Sequence, residues 1–103
     1  LESADQLRRD QRLAQARFEE KRDALHEEQY QIDTQMSEYA EAAIWYVQHH
    51  AVHENDFTHK ITSITREAER DLDARMRTAI HEIDNDEDEV QAYYHKKLRD
   101  LEE

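Results

Sequence analysis

Neither glycine nor proline occurs anywhere in the 103 residues of this chain. Tight turns, β-bulges and abrupt helix stops depend on those two residues, one for positive φ and the other for a fixed φ without an N–H donor. A fold of many short elements is therefore hard to build here, and long uninterrupted helices are the natural product. The helix formers Ala, Leu, Glu, Gln, Arg and Lys dominate both halves. Charged residues make up 39% of the chain and apolar ones 37%, too little apolar material for a broad core in one domain of this length. The core has to be a narrow seam between helices.

Near the middle stand six consecutive apolar residues, Ala42 to Val47 (Ala-Ala-Ile-Trp-Tyr-Val). A helix that is apolar all round must be covered on more than one side, and little else in the chain can cover it. From Phe18 onward one apolar position recurs every seven residues, at Leu25, Ile32, Tyr39 and Tyr46. Leu7 begins the same stripe, while the alternate positions Ala14, Lys21, Gln29, Met36 and Ala43 are poorer. In the second half the apolar positions are Phe57, Ile61, Ile64, Ala68, Leu72, Met76, Ala79, Ile83, Val90, Tyr94, Leu98 and Leu101. Counting polar Glu87, that is a step of about 3.67 residues, close to a straight helix rather than a strict heptad.

Between the stripes lies His53-Glu54-Asn55-Asp56, whose Asn and Asp satisfy free N–H groups at helix starts. In an antiparallel hairpin the numbers of facing residues have a constant sum. Leu7 with Leu101, Ala14 with Tyr94, Phe18 with Val90, Leu25 with Ile83, Ile32 with Met76 and Met36 with Leu72 all sum to 108. Tyr39 with Ala68 and Ala43 with Ile64 sum to 107. The reversal then falls near residue 54, at the capping residues. The expected fold is all-α: a long antiparallel two-helix hairpin, coiled-coil-like, that completes a larger helical bundle with partners. As one unit over residues 1–103, it has helix 1 over about 3–52, a turn over about 53–56 and helix 2 over about 57–102. Its seam is Leu7, Phe18, Leu25, Ile32, Tyr39, Tyr46, Ile64, Met76, Ile83, Val90, Tyr94 and Leu101.

Charge follows the same register. No Lys or Arg occurs between Arg22 and Lys60, whereas Asp23, Glu27, Glu28, Asp33, Glu38 and Glu41 do. The register sets these acids opposite Arg66, Arg70, Arg75 and Arg77, and Arg17, Lys21 and Arg22 opposite the run Asp84 to Glu89. Exposed pairs are worth only ~0.2–1 kcal/mol each, so they select register rather than hold the fold. The alternative is that alternating charge simply solvates long helices.

The formal net charge of -12 argues against phosphate backbones and anionic membrane faces, which call for clustered Lys and Arg. Without cysteine there is no disulfide framework, thiolate chemistry or zinc finger. Leu1 to Asp10 is polar rather than basic-then-apolar, and no apolar run approaches the ~20 residues of a spanning helix. Neither a cleavable leader nor membrane insertion is expected.

Chemistry-bearing constellations are sparse. His49, His50 and His53, with Glu54 and His59 following, form the one cluster with metal-ligand spacing, since His49 and His53 are four apart. No third ligand of fixed geometry accompanies them, and a polar hairpin tip is the plainer reading. Asp84, Asp86 and Asp88 imitate the opening of a calcium loop, but Glu89 stands where glycine is needed and His95 where a bidentate Glu is needed. No nucleophile elbow or phosphate-cradling glycine loop occurs, so no catalytic residue, cofactor or enzymatic activity is expected.

What remains is surplus apolar surface. With Ala43 and Tyr46 in the seam, Trp45 lies about 100° round the helix from Tyr46 and shares a face with Val52. Ile44 and Ala51 form a neighbouring row. The expected partner interface is Ile44, Trp45, Val47, Ala51, Val52 and Phe57, unless the tip twists enough to cover them itself. Burying Ile44, Trp45, Val47 and Val52 yields roughly 6–12 kcal/mol. Association costs a comparable ~4–15 kcal/mol, so tight binding needs contacts along the arms as well.

The aromatic centre Ile44-Trp45-Tyr46, the second half opening Glu54-Asn55-Asp56-Phe57, and the ending from Asp86 through Val90, Tyr93 and Tyr94 to Leu98 together resemble a known pattern. They are similar to the small helical proteins associated with LXG toxins of bacterial type VII secretion, specifically the second kind of LXG-associated helical protein. The resemblance implies a non-catalytic targeting adaptor or chaperone in interbacterial competition. It would bind the helical amino-terminal LXG domain of the toxin together with a second small helical protein, in the cytoplasm or co-exported with the toxin. Two features of related secreted hairpins are missing. Trp45-Tyr46-Val47 replaces their Trp-x-Gly turn, and Lys97 and Leu98 stand four residues after Tyr93 and Tyr94, where their export signal has an acid. A chain of this kind would rely on a companion for that signal. The alternative from a different class is a self-associating structural hairpin, a homodimeric four-helix bundle.

Overall fold

The computed structural model describes residues 3–50 and 53–102. The chain is all-α: helix α1 spans Ala4–His50 and helix α2 spans Glu54–Glu102, paired as an antiparallel hairpin. Each helix contributes to two compact units. One joins α1 up to Leu25 with α2 from Thr78 onward, and the other is His26–Arg77.

Both helix starts have a local cause. Ser3 caps α1 through a reciprocal box: the Gln6 N–H donates to Ser3 Oγ and the Ser3 N–H donates to Gln6 Oε1, each at 3.2 Å. Two orphan N–H groups of the first turn are thereby satisfied. Helix α2 begins at Glu54, so most of the expected turn at 53–56 belongs to its first turn. His53 stands at the cap position, its carbonyl accepting the Phe57 N–H at 3.3 Å. Asn55 and Asp56 bring amide and acid groups to a helix N-terminus, where the dipole favours negative charge, so they extend the helix rather than break it. The end expected for helix 1, residue 52, lies outside the described residues.

In the unit that contains both outer ends, Leu7 is 2% exposed and Phe18 is also buried. Ala14 and Phe18 of α1 line a surface pocket of about 340 Å³ with Val90 and Tyr94 of α2. Polar contacts flank this seam. Gln11 Nε2 donates to Gln91 Oε1 at 2.6 Å, and Arg22 donates to Asp84 Oδ1 at 2.6 Å and to both carboxylate oxygens of Glu87 at 3.0 Å. Hydrogen bonds to Glu87 and then Asp84 raise the pKa of the Arg22 guanidinium above its ordinary value. Of the basic block expected opposite Asp84–Glu89, Arg22 alone makes ion pairs among the described residues. Lys21 instead holds its ammonium 5.5 Å from the Phe18 ring centroid. Leu101, expected opposite Leu7 in the seam, is half exposed.

The stripe that α1 turns inward is not the heptad line. Its buried and half-buried positions include Leu7, Gln11, Ala14, Phe18, Arg22, Leu25, Gln29, Ile32, Met36, Ala40, Ala43 and Val47. The step is about 3.6 residues, that of a straight helix. A seven-residue repeat drifts about 20° per heptad away from such a stripe. Phe18, Leu25 and Ile32 therefore stay inside, whereas Tyr39 and Tyr46 emerge, 77% and 60% exposed. These two seam assignments are corrected by the structure. Met36, Ala40, Ala43 and Val47 occupy the inner positions instead, which also moves Val47 from the expected partner face toward the seam.

Candidate functional site

The unit His26–Arg77 holds most of the chain's large exposed apolar side chains. Its packed interior is thin. Met76 is its one buried hydrophobic among the described residues, with Leu72, Ile61, Ile32 and Met36 half-buried. Gln29 Nε2 bridges the helices by donating to Asp73 Oδ1 at 2.8 Å.

On one flank of this unit the helices leave an apolar groove of about 270 Å³. It is lined by Met36, Tyr39, Ala40 and Ala43 from α1 and by Ile61, Ile64 and Thr65 from α2. Its cause is the small side chains Ala40 and Ala43, which leave unfilled space that a larger seam residue would occupy. Tyr39 and Ile64 are the exposed residues of its lining, one from each helix; Ile64, which the sequence sets in the seam, is 67% exposed. Tyr46 lies seven residues after Tyr39 and Phe57 seven before Ile64, so each extends its own helix's wall by two turns. Both are largely exposed.

Trp45 takes a different direction. Close to half a turn round α1 from Met36 and Ala43, it is 57% exposed and its ring stacks on His49 at 4.2 Å between centroids. The same imidazole places Nδ1 2.7 Å from the Trp45 carbonyl oxygen, which accepts its hydrogen. Tyr46 and His50 pair similarly, with centroids 4.5 Å apart. Ile44 is half-buried, and Ala51 and Val52 lie outside the described residues. The expected interface of Ile44, Trp45, Val47 and Phe57 thus does not form one face: Val47 turns in, Trp45 turns outward, and Phe57 belongs to the groove's flank. Helical drift explains the difference, because assigning Tyr46 to the seam rotated every neighbour by the same error.

The charges of this unit also depart from expectation. Among the described residues, Glu27, Glu28, Asp33, Glu38 and Glu41 form no ion pair, and neither do Arg66, Arg70, Arg75 and Arg77. Exposed long side chains gain too little from pairing to give up their rotamer freedom and hydration. Glu27 accepts from Gln31, and Arg77 Nε reaches the Asp73 carbonyl within its own helix. No group of three His or carboxylate side chains gathers at metal-binding distance among the described residues.

One buried polar atom is anomalous. Thr34 and Thr65 each donate their hydroxyl to the carbonyl four residues back, at 2.8 Å. Thr58 Oγ1 is buried with no hydrogen-bond partner. No helix among the described residues is long and apolar enough to cross a membrane. No protein-family model, curated protein or solved structure matches the chain.

Proposed function

We propose that the chain is a non-catalytic helical adaptor that packs lengthwise with helices of another protein and completes a bundle with them. The observation that carries this reading is the surface of the His26–Arg77 unit, where Tyr39, Trp45, Tyr46, Phe57 and Ile64 remain about half exposed or more. Accessible area supports it as well. The chain exposes 8410 Å², whereas roughly 6200 Å² is typical of a compact monomer of 12.5 kDa. The surplus is surface that two helices have no third element to cover.

The partner follows from the resemblance set out above: the helical amino-terminal LXG domain of a type VII secreted antibacterial toxin, joined by a second small helical protein. The test is co-expression with the amino-terminal LXG domain of a type VII secreted toxin from the same genome, followed by size-exclusion chromatography. A shared peak of defined stoichiometry is the expected result. Separate elution of two folded proteins, with and without the second small helical protein, counts against the adaptor. A concentration-dependent homodimer in its place would favour the self-associating bundle.

A further inference from the structure

We infer that the groove flank of the His26–Arg77 unit is the seat of one amphipathic helix from a partner, whose apolar stripe fills the groove and whose flanking positions carry Lys or Arg. The inference rests on the adaptor reading and gives its binding site and the chemistry of its ligand. Three observations lead to it.

Four of the exposed large apolar residues fall on this flank, while Leu13, Tyr30, Trp45, Tyr93 and Leu101 lie elsewhere. Tyr39 and Ile64 line the groove with Ala40 and Ala43 between them, and Tyr46 and Phe57, seven residues along each helix, continue the same helix faces beyond it. Spacings of seven on both walls give the flank a repeat of two helical turns, the repeat at which an occupant helix presents successive side chains to one face.

The area decides the size of the occupant. At about 150–250 Å² per aromatic side chain, the exposed fractions of these four residues amount to roughly 400–550 Å². That suits one docked helix but is only about half to two thirds of the ~800 Å² per partner in a standard stable interface. Two copies joined through this flank alone would therefore fall short of a stable dimer. They would also bring together two units that each carry eleven carboxylates against five Lys and Arg. A second copy is disfavoured on both counts.

Charge decides the sign of the occupant. From Asp23 to His59 there is no Lys or Arg, and Glu27, Glu28, Asp33, Glu38 and Glu41 have no ion-pair partner within the chain among the described residues. Of these, Glu28 shares the Tyr39 side of α1, whereas Glu27, Glu38 and Glu41 share the Trp45 side, so they act on an occupant through the field of the whole unit rather than by contact. A helix with basic flanks is drawn to a unit that carries eleven carboxylates against five Lys and Arg, whereas an acidic one is repelled.

The experiment uses the full chain and two fluorescent helical peptides with the same Leu stripe at i, i+3, i+4 and i+7, one flanked by Lys and one by Glu. Anisotropy titrations should show the Lys-flanked peptide binding at least tenfold more tightly. Ile64→Glu and Tyr39→Glu should each weaken that binding tenfold or more, even though the added carboxylate would strengthen a purely electrostatic contact. Trp45→Glu adds the same charge on the outer face and should leave affinity within about twofold. Circular dichroism checks that each variant stays helical, and Ile64→Ser serves if a Glu variant does not fold. Equal binding of both peptides, or equal losses from Trp45→Glu and Ile64→Glu, overturns the inference. So does a homodimer that Ile64→Glu dissociates, since the flank would then seat a second copy. If the chain co-elutes with the LXG domain but Ile64→Glu does not weaken that complex, the adaptor stands and this site falls.

Discussion

At the residue scale the sharpest anomaly is Thr58, whose hydroxyl is buried without a partner while Thr34 and Thr65 satisfy theirs on the preceding turn. Withdrawing a hydroxyl from water without replacing its hydrogen bond costs free energy, and an apolar isostere escapes that cost. Thr58→Val keeps the β-branched shape and the helix propensity of the site. It should therefore stabilise the chain by about 1–2 kcal/mol in urea unfolding. An unchanged or lower midpoint would mean that the hydroxyl is satisfied in solution. Nothing in the sequence distinguishes Thr58 from the other threonines, because satisfaction depends on which atoms lie nearby. Ser3 is the opposite case: Ser3-x-x-Gln6 is a readable capping box, and the structure forms it.

At the scale of the helices, two long antiparallel elements were legible because nothing in the chain can interrupt a helix and because the two apolar stripes share one register. The inner face of α1 was legible only in its first half. A heptad line and a straight-helix line coincide near Phe18 and diverge by about 60° three heptads later, so Tyr39 looks like a core residue in sequence and stands in solvent in the structure. The interface assignment inherits that divergence, which is why the sequence sets Tyr39 and Tyr46 inside and Val47 outside. The contrast predicts unequal costs for chemically similar truncations. Phe18→Ala removes a buried ring and should destabilise by about 3–5 kcal/mol. Tyr39→Ala should cost no more than about 0.5 kcal/mol in the isolated chain. Equal shifts in urea midpoint would mean that α1 supercoils in solution and carries its heptad line into the seam.

At the scale of the whole molecule, charge acts against the fold more than for it. The formal net charge is -12, yet among the described residues the ion pairs between the two helices are those of Arg22 with Asp84 and Glu87. Repulsion among the remaining carboxylates is long-ranged and diminishes as the Debye length falls from about 30 Å at 0.01 M salt to about 8 Å at 0.15 M. Screening also weakens the Arg22 contacts, but these are few and short, with donor–acceptor distances of 2.6–3.1 Å. The melting temperature of the isolated chain should therefore rise between 0.01 and 0.15 M NaCl. A basic partner should produce the reverse trend in binding, since the carboxylates it neutralises are the ones that salt screens. The two measurements separate the roles of the same charges. Stability rising while affinity falls identifies α1's acids as groups kept for an external cation. A melting temperature that falls with salt would instead assign those acids to pairing within the hairpin, in the register that the two charge blocks suggest in sequence.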